Sequence, residues 1–113
     1  MRIDFDRMEE TLIPKMRGGE GVVAARMYTD QNNKIMRGKL SPGGSIGLHT
    51  HDTSSEIIYI LSGTGKVLCD GEYEPLSAGD CHYCPQGHAH SLINDSQGEL
   101  CFLALVPEHE KGV

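Results

Sequence analysis

The chain has 113 residues, 38% hydrophobic and 23% charged, with 16 Asp and Glu against 10 Lys and Arg for a formal net charge of −6. That length suits one domain with its own core, the acidic balance argues against a nucleic-acid partner, and no segment approaches the ~18 apolar residues of a membrane span. The opening "MRIDFDRMEETLIP" has acidic residues where a secretory signal needs an apolar run, which predicts a soluble, cytoplasmic protein with no membrane partner.

Within that opening, Asp6 and Glu9 stand at capping-box spacing ahead of Pro14, so a short N-terminal helix is expected there. Beyond it the punctuation is all turns: "DQNN" at 30–33, "SPGG" at 41–44, "SGTG" at 62–65, "DG" at 70–71, "AGD" at 78–80, "PQG" at 85–87 and "NDSQG" at 94–98. Between the turns lie the short runs "VVAARMY", "KIMRGKL", "EIIYIL", "KVLC", "HSLI" and "LCFLALV". Such spacing, with Asp-Gly as a tight hairpin signal, reads as an all-β sandwich or barrel. The expected organisation is one unit over 1–113, with an arm at 1–20, the β-barrel at 21–107 and a tail at 108–113.

Four cysteines, Cys69, Cys81, Cys84 and Cys101, are expected as reduced thiols. "CHYC" at 81–84 has Cys-x-x-Cys spacing, but in a strand residues three apart face opposite ways, and no second such pair exists to complete a zinc site.

Five of the six histidines fall within 49–51 and 82–90. In a strand, residues two apart lie on one face, about 6.6 Å from each other, so His49 and His51 point the same way and can share a metal ion. Glu56 follows the turn-forming "DTSS" and opens an apolar strand, where an inward carboxylate is costly unless a cation meets it. It becomes a third ligand, and either His88 or His90, after the Pro-Gly turn, can supply a fourth.

Two spaced patterns carry a resemblance. Gly43, five residues, His49-Thr50-His51, four residues, Glu56, six residues and Gly63 form the first. Gly79, five residues, Pro85-Gln86-Gly87, two residues, His90, three residues and Asn94 form the second. Together they resemble, without a gap, the two motifs of the cupin superfamily, and the flanking runs resemble the rest of a small single-domain cupin. The resemblance implies a double-stranded β-helix, or jelly-roll barrel, with one divalent transition metal held by His49, His51, Glu56 and His90. It also implies a homodimer, built by packing a sheet face or exchanging an N-terminal strand such as "GVVAARMY".

Three imidazoles and one carboxylate leave a divalent ion with a net charge of roughly +1 and two open octahedral positions, which favours Fe, Mn, Ni or Zn. Three functions follow. The first is Lewis-acid chemistry of isomerase or lyase type on a sugar-, enol- or keto-acid-like substrate. The second is an Fe(II)-dependent dioxygenase. The third is a non-catalytic module that binds or senses a small molecule. Candidates for proton transfer are His82, Tyr83 and His88. Alternation pairs His82 with Cys84 on one face and Cys81 with Tyr83 on the other, and puts Tyr59 opposite Glu56 and Ile58, as a packing residue. Asn94 is expected to tie off its strand. Arg37 and Lys39 share a face that could grip a carboxylate or lie in solvent.

Overall fold

Each of the apolar runs forms a strand in the structure, a computed structural model that describes residues 1–109. The strands are β1 (Thr11–Pro14), β2 (Val22–Thr29), β3 (Asn33–Leu40), β4 (His49–Thr50), β5 (Glu56–Ser62), β6 (Thr64–Cys69), β7 (Glu72–Ser77), β8 (Cys81–Cys84), β9 (Ala89–Ile93) and β10 (Leu100–Pro107). They make two antiparallel sheets, ordered β1-β2-β3-β10-β5-β8 and β4-β9-β6-β7. Neither sheet closes on itself as a barrel; the inward faces of both meet in one core, in the jelly-roll manner. The turn residues explain the connections locally: Asp70 and Gly71, at φ 51° and 83°, give the I′-type hairpin that joins β6 to β7.

The core follows strand alternation. Leu40, Ile58, Ile60, Val67, Leu92, Leu100 and Phe102 are almost completely buried. Phe102 lies opposite Gly38 in the β3–β10 register, and a β-carbon at 38 would stand 2.6 Å from the ring. The glycine leaves the ring its space. Asn94 closes the end of β9: its amide donates to the carbonyls of Leu40 (2.9 Å), Ser41 (3.1 Å) and Gly98 (2.8 Å). That is the tying role expected of it.

The N-terminal helix does not form. Phe5–Arg7 is a single 3-10 turn, and Thr11–Pro14 pairs as an edge strand with Val22–Ala25. A helix of so few residues gains little from its own hydrogen bonds after a costly nucleation, while the β2 edge offers a ready ladder. Proline is tolerated on such an edge. The Asp6 carboxylate, expected as a cap, instead accepts from Arg37 at 2.7 Å. Arg26 donates to the carbonyls of Phe5, Asp6 and Met8, so the first ten residues are pinned to the outer face of the large sheet.

Candidate metal centre

Both sheets contribute to one cluster. His49, on β4, stands opposite His90 of β9 in the small sheet, whereas Glu56 opens β5 in the large one. His51 follows β4 directly. Its backbone N–H donates to His88 carbonyl and its own carbonyl accepts from Gly87 N–H, so the Pro-Gln-Gly turn fixes its position. One donor atom from each of the four residues lies within 4.8 Å of all the others. Glu56 Oε1 is 2.7 Å from His90 Nε2, 3.0 Å from His51 Nε2 and 3.7 Å from His49 Nε2. Two ligands at right angles, each bonded at ~2.1 Å, are separated by about 3 Å. The observed spacings bracket that value.

The second nitrogen of each ring explains why the first turns inward. His49 Nδ1–H donates to Gly47 carbonyl at 2.7 Å, which leaves Nε2 with its lone pair. His51 Nδ1 is 2.9 Å from the Ser54 hydroxyl, and His90 Nδ1 is 2.9 Å from His82 Nε2. With the Nδ1 positions engaged, the Nε2 atoms of His51 and His90 face each other at 3.0 Å. Two imidazole lone pairs at that distance repel unless a proton or a cation lies between them. The donor set fits a transition metal ion, with outer partners of the kind that orient metal-binding histidines.

Electrostatics agree with the geometry. Burial alone would push the Glu56 carboxyl up, but the His49, His51 and His90 imidazoles packed around it outweigh burial and hold the group well below the usual carboxylate range. The residue is an anion throughout ordinary pH. Burial, and then the charge on His90, lowers the pKa of His82, which keeps that ring neutral and able to accept from His90 Nδ1–H. Cys84, opposite Glu56 in the β5–β8 register, is fully buried. Its thiol is pushed up to about 12 by burial, so it packs as a protonated neutral group. All four cysteines are free thiols.

The other sequence candidates are distributed over the molecule. His82 shares the inner face with Cys84, behind His90 and away from the open side of the cluster. Tyr83 is on the outer face and 58% exposed, so its hydroxyl is not brought to the cluster. His88 is on the turn before β9, hydrogen-bonded to the Asp70 carboxylate, and is likewise outside it. Tyr59 is outward, opposite Leu103 of β10. Arg37 and Lys39 are on the outer face too, paired with Asp6 and Glu10. Sequence reading missed the positions of Arg17 and Lys34, which line the cavity over the cluster with His49, His51 and Glu56. No local pattern marks them, because Arg17 arrives by a contact between distant segments. Lys15 and Arg17 both have left-handed backbones, φ 50° and 55°, a conformation that costs a non-glycine residue about 1–2 kcal/mol.

A family model described as "Cupin domain" matches residues 36–106. The chain is a cupin. Two relatives and one solved structure define its neighbourhood. This cupin is 40% identical over 100 residues to an oxalate-binding protein of Thermotoga maritima, the match covering 83% of each chain. A crystal structure of a predicted oxalate decarboxylase from Thermotoga maritima superposes with a TM-score of 0.90 at 33% identity, covering 96% of this cupin and 99% of that chain. The pectin degradation protein KdgF of Dickeya dadantii is 27% identical over 66 residues, 58% of this cupin and 60% of that protein.

Proposed function

We propose that this cupin binds one divalent transition metal ion, Fe, Mn, Ni or Zn, through His49, His51, Glu56 and His90, and uses the ion's open positions to chelate a small oxygen-bearing molecule. The observation that carries the reading is the 3.0 Å approach of the His51 and His90 Nε2 atoms beside an ionised Glu56. When bound, the ion supplies a Lewis acid for oxygen donors. The chain's residues hold it, fix the ring tautomers and leave one side of the cluster open to the cavity.

Binding is favoured over the isomerase or lyase reading by the state of the acids at that opening. Asp30 accepts from the backbone N–H groups of Asn32 and Asn33 and from Tyr28, and Glu108 accepts from Thr53. Both are engaged in holding loops, and His82 is occupied behind His90. A binding role also agrees with the name of the 40%-identical relative. Elemental mass spectrometry on untagged protein tests the metal claim. About one transition metal ion per chain is expected, lost in His49→Ala; wild-type metal no higher than that of the variant, even after reconstitution, overturns it.

We further propose a homodimer built on the outer face of the large sheet. Tyr59 (42%), Leu61 (43%) and Tyr83 (58%) are exposed there beside Leu103 and Leu105, and apolar patches of this kind mark association surfaces. The arm pinned by Arg26 and Arg37 covers the other half of that face, which leaves this half for a second copy, in a cytoplasmic protein. Sedimentation is expected to give twice the 12.3 kDa chain mass, and Tyr59→Glu to shift it toward one; a monomer at working concentration sinks the proposal.

A further inference from the structure

Two of the four free thiols are neighbours, and they come from different sheets. Cys69 ends β6 in the small sheet, where it stands opposite His90 of β9. Cys84 ends β8 at the edge of the large sheet, opposite Glu56 of β5. Because Glu56 and His90 meet at 2.7 Å, the strands beside them meet as well, and the two thiols lie side by side. The other two cysteines are elsewhere. Cys81 is exposed on the outer face opposite Tyr59, and Cys101 lies between Lys39 and Ser62 on the outer face of the large sheet.

The contact is fastened from both ends. Asp70, next to Cys69, donates its backbone N–H to Ala89 carbonyl at 3.3 Å, and its carboxylate accepts from His88 Nδ1. Cys84 precedes the Pro85–Gly87 turn, and its thiol is 3.6 Å from His88 carbonyl. The end of β6 and the end of β8 are thus both tied to residues 88–89. Exposure divides the pair into two roles. Cys84 is fully buried, whereas Cys69 is only partly covered. One thiol is open to a dissolved reagent, and the other is reached through the first.

We propose that Cys69 and Cys84 are an oxidisable pair that closes to an intramolecular disulfide with a small-molecule disulfide such as oxidised glutathione, stapling the two sheets beside the cluster without consuming a metal ligand. The Cys69 thiolate attacks one sulfur of the oxidant; that S–S bond breaks, a mixed disulfide forms on Cys69, and one glutathione leaves as its thiolate. The Cys84 sulfur then attacks the Cys69 sulfur and expels the second glutathione, which takes up the Cys84 proton. Two protein thiols are oxidised and one disulfide is reduced to two thiols. Burial and the Asp70 charge raise the Cys69 thiol, and burial pushes Cys84 up to about 12, so exchange is slow at neutral pH and faster in mild alkali. The new bond closes a short loop through β7 and β8, which restrains the unfolded chain.

The test uses a Cys81→Ser, Cys101→Ser double variant, which keeps only the pair, incubated with oxidised glutathione and a chelator at a pH of about 8.5. Both thiols are expected to disappear from a thiol titration, and the intact mass to fall by two hydrogens with no glutathione attached. Cleavage after Glu72, which separates Cys69 from Cys84, should leave their peptides joined until reductant is added. The oxidised form should unfold at higher denaturant than the reduced one. Adding Cys84→Ser stops the reaction at a glutathione adduct on Cys69, and adding Cys69→Ser leaves Cys84 unmodified in the folded protein. Wild type is expected to join the same peptides, and Cys81→Ser alone to keep that link. Retention of both thiols, stable glutathione adducts with no link between the peptides, or a link found only between two chains overturns the proposal. So does an oxidised form that unfolds at lower denaturant than the reduced one.

Discussion

Glu56→Gln is expected to weaken Zn(II) binding by more than 100-fold in a chelator competition, a larger loss than the 10- to 100-fold typical of outer partners of metal ligands. The substitution keeps the shape and one oxygen but removes the charge that offsets half of the ion's own. It also changes the metal-free protein. The Glu56 carboxyl is held below its ordinary value of 4.5, so the folded state prefers the anion. Its contribution to stability is therefore present above pH 4.5 and is lost progressively as the pH falls below that value toward the folded-state pKa. Metal-free wild type should unfold at higher denaturant than the variant at pH 6, and the gap should narrow with acid below about 4.5. A gap that widened with acid would contradict the assignment of Glu56 as the buried anion of the cluster.

The four cluster residues were legible because each rests on a short-range rule. Alternation puts His49 and His51 on one face, a turn brings Glu56 back beside them, and the Pro85–Gly87 turn delivers His90 opposite His49. The strands were legible for the same reason. Other features depend on partners far away in the chain. The Asp6–Glu9 spacing carries a true local preference, yet the free edge of β2 draws Thr11–Pro14 into the sheet and Arg37 takes the Asp6 carboxylate. Alternation grouped His82 with Cys84 and Cys81 with Tyr83, but both groups mix polar and apolar character. The register opposite Ile58 and Glu56, which are buried, decides that His82 and Cys84 face inward. Arg17 is the extreme case: its place at the opening depends on the fit of its carbonyl against Gly47, thirty positions along the chain.

His82→Leu should lower Zn(II) affinity by about 10- to 100-fold while the protein still folds. His82 is a positioning residue: it touches His90 and no open face of the cluster. Its Nε2 accepts the proton on His90 Nδ1 at 2.9 Å, which commits His90 Nε2 to carrying the lone pair. It also stops the ring from turning, since the two imidazoles lie tilted at 31° with centroids 5.2 Å apart. Leucine fills the buried space but accepts nothing. The His90 proton would then be free to move to Nε2, where it competes directly with a metal ion, and Nδ1 would be left without a partner in a buried site. His82→Gln restores an acceptor and should recover part of the affinity. The comparison separates orientation from packing. If both variants unfold at the same denaturant concentration and only the glutamine keeps tighter zinc binding, the hydrogen bond is responsible. Equal zinc affinity in wild type, leucine and glutamine forms would show that His90 is held by its own strand alone.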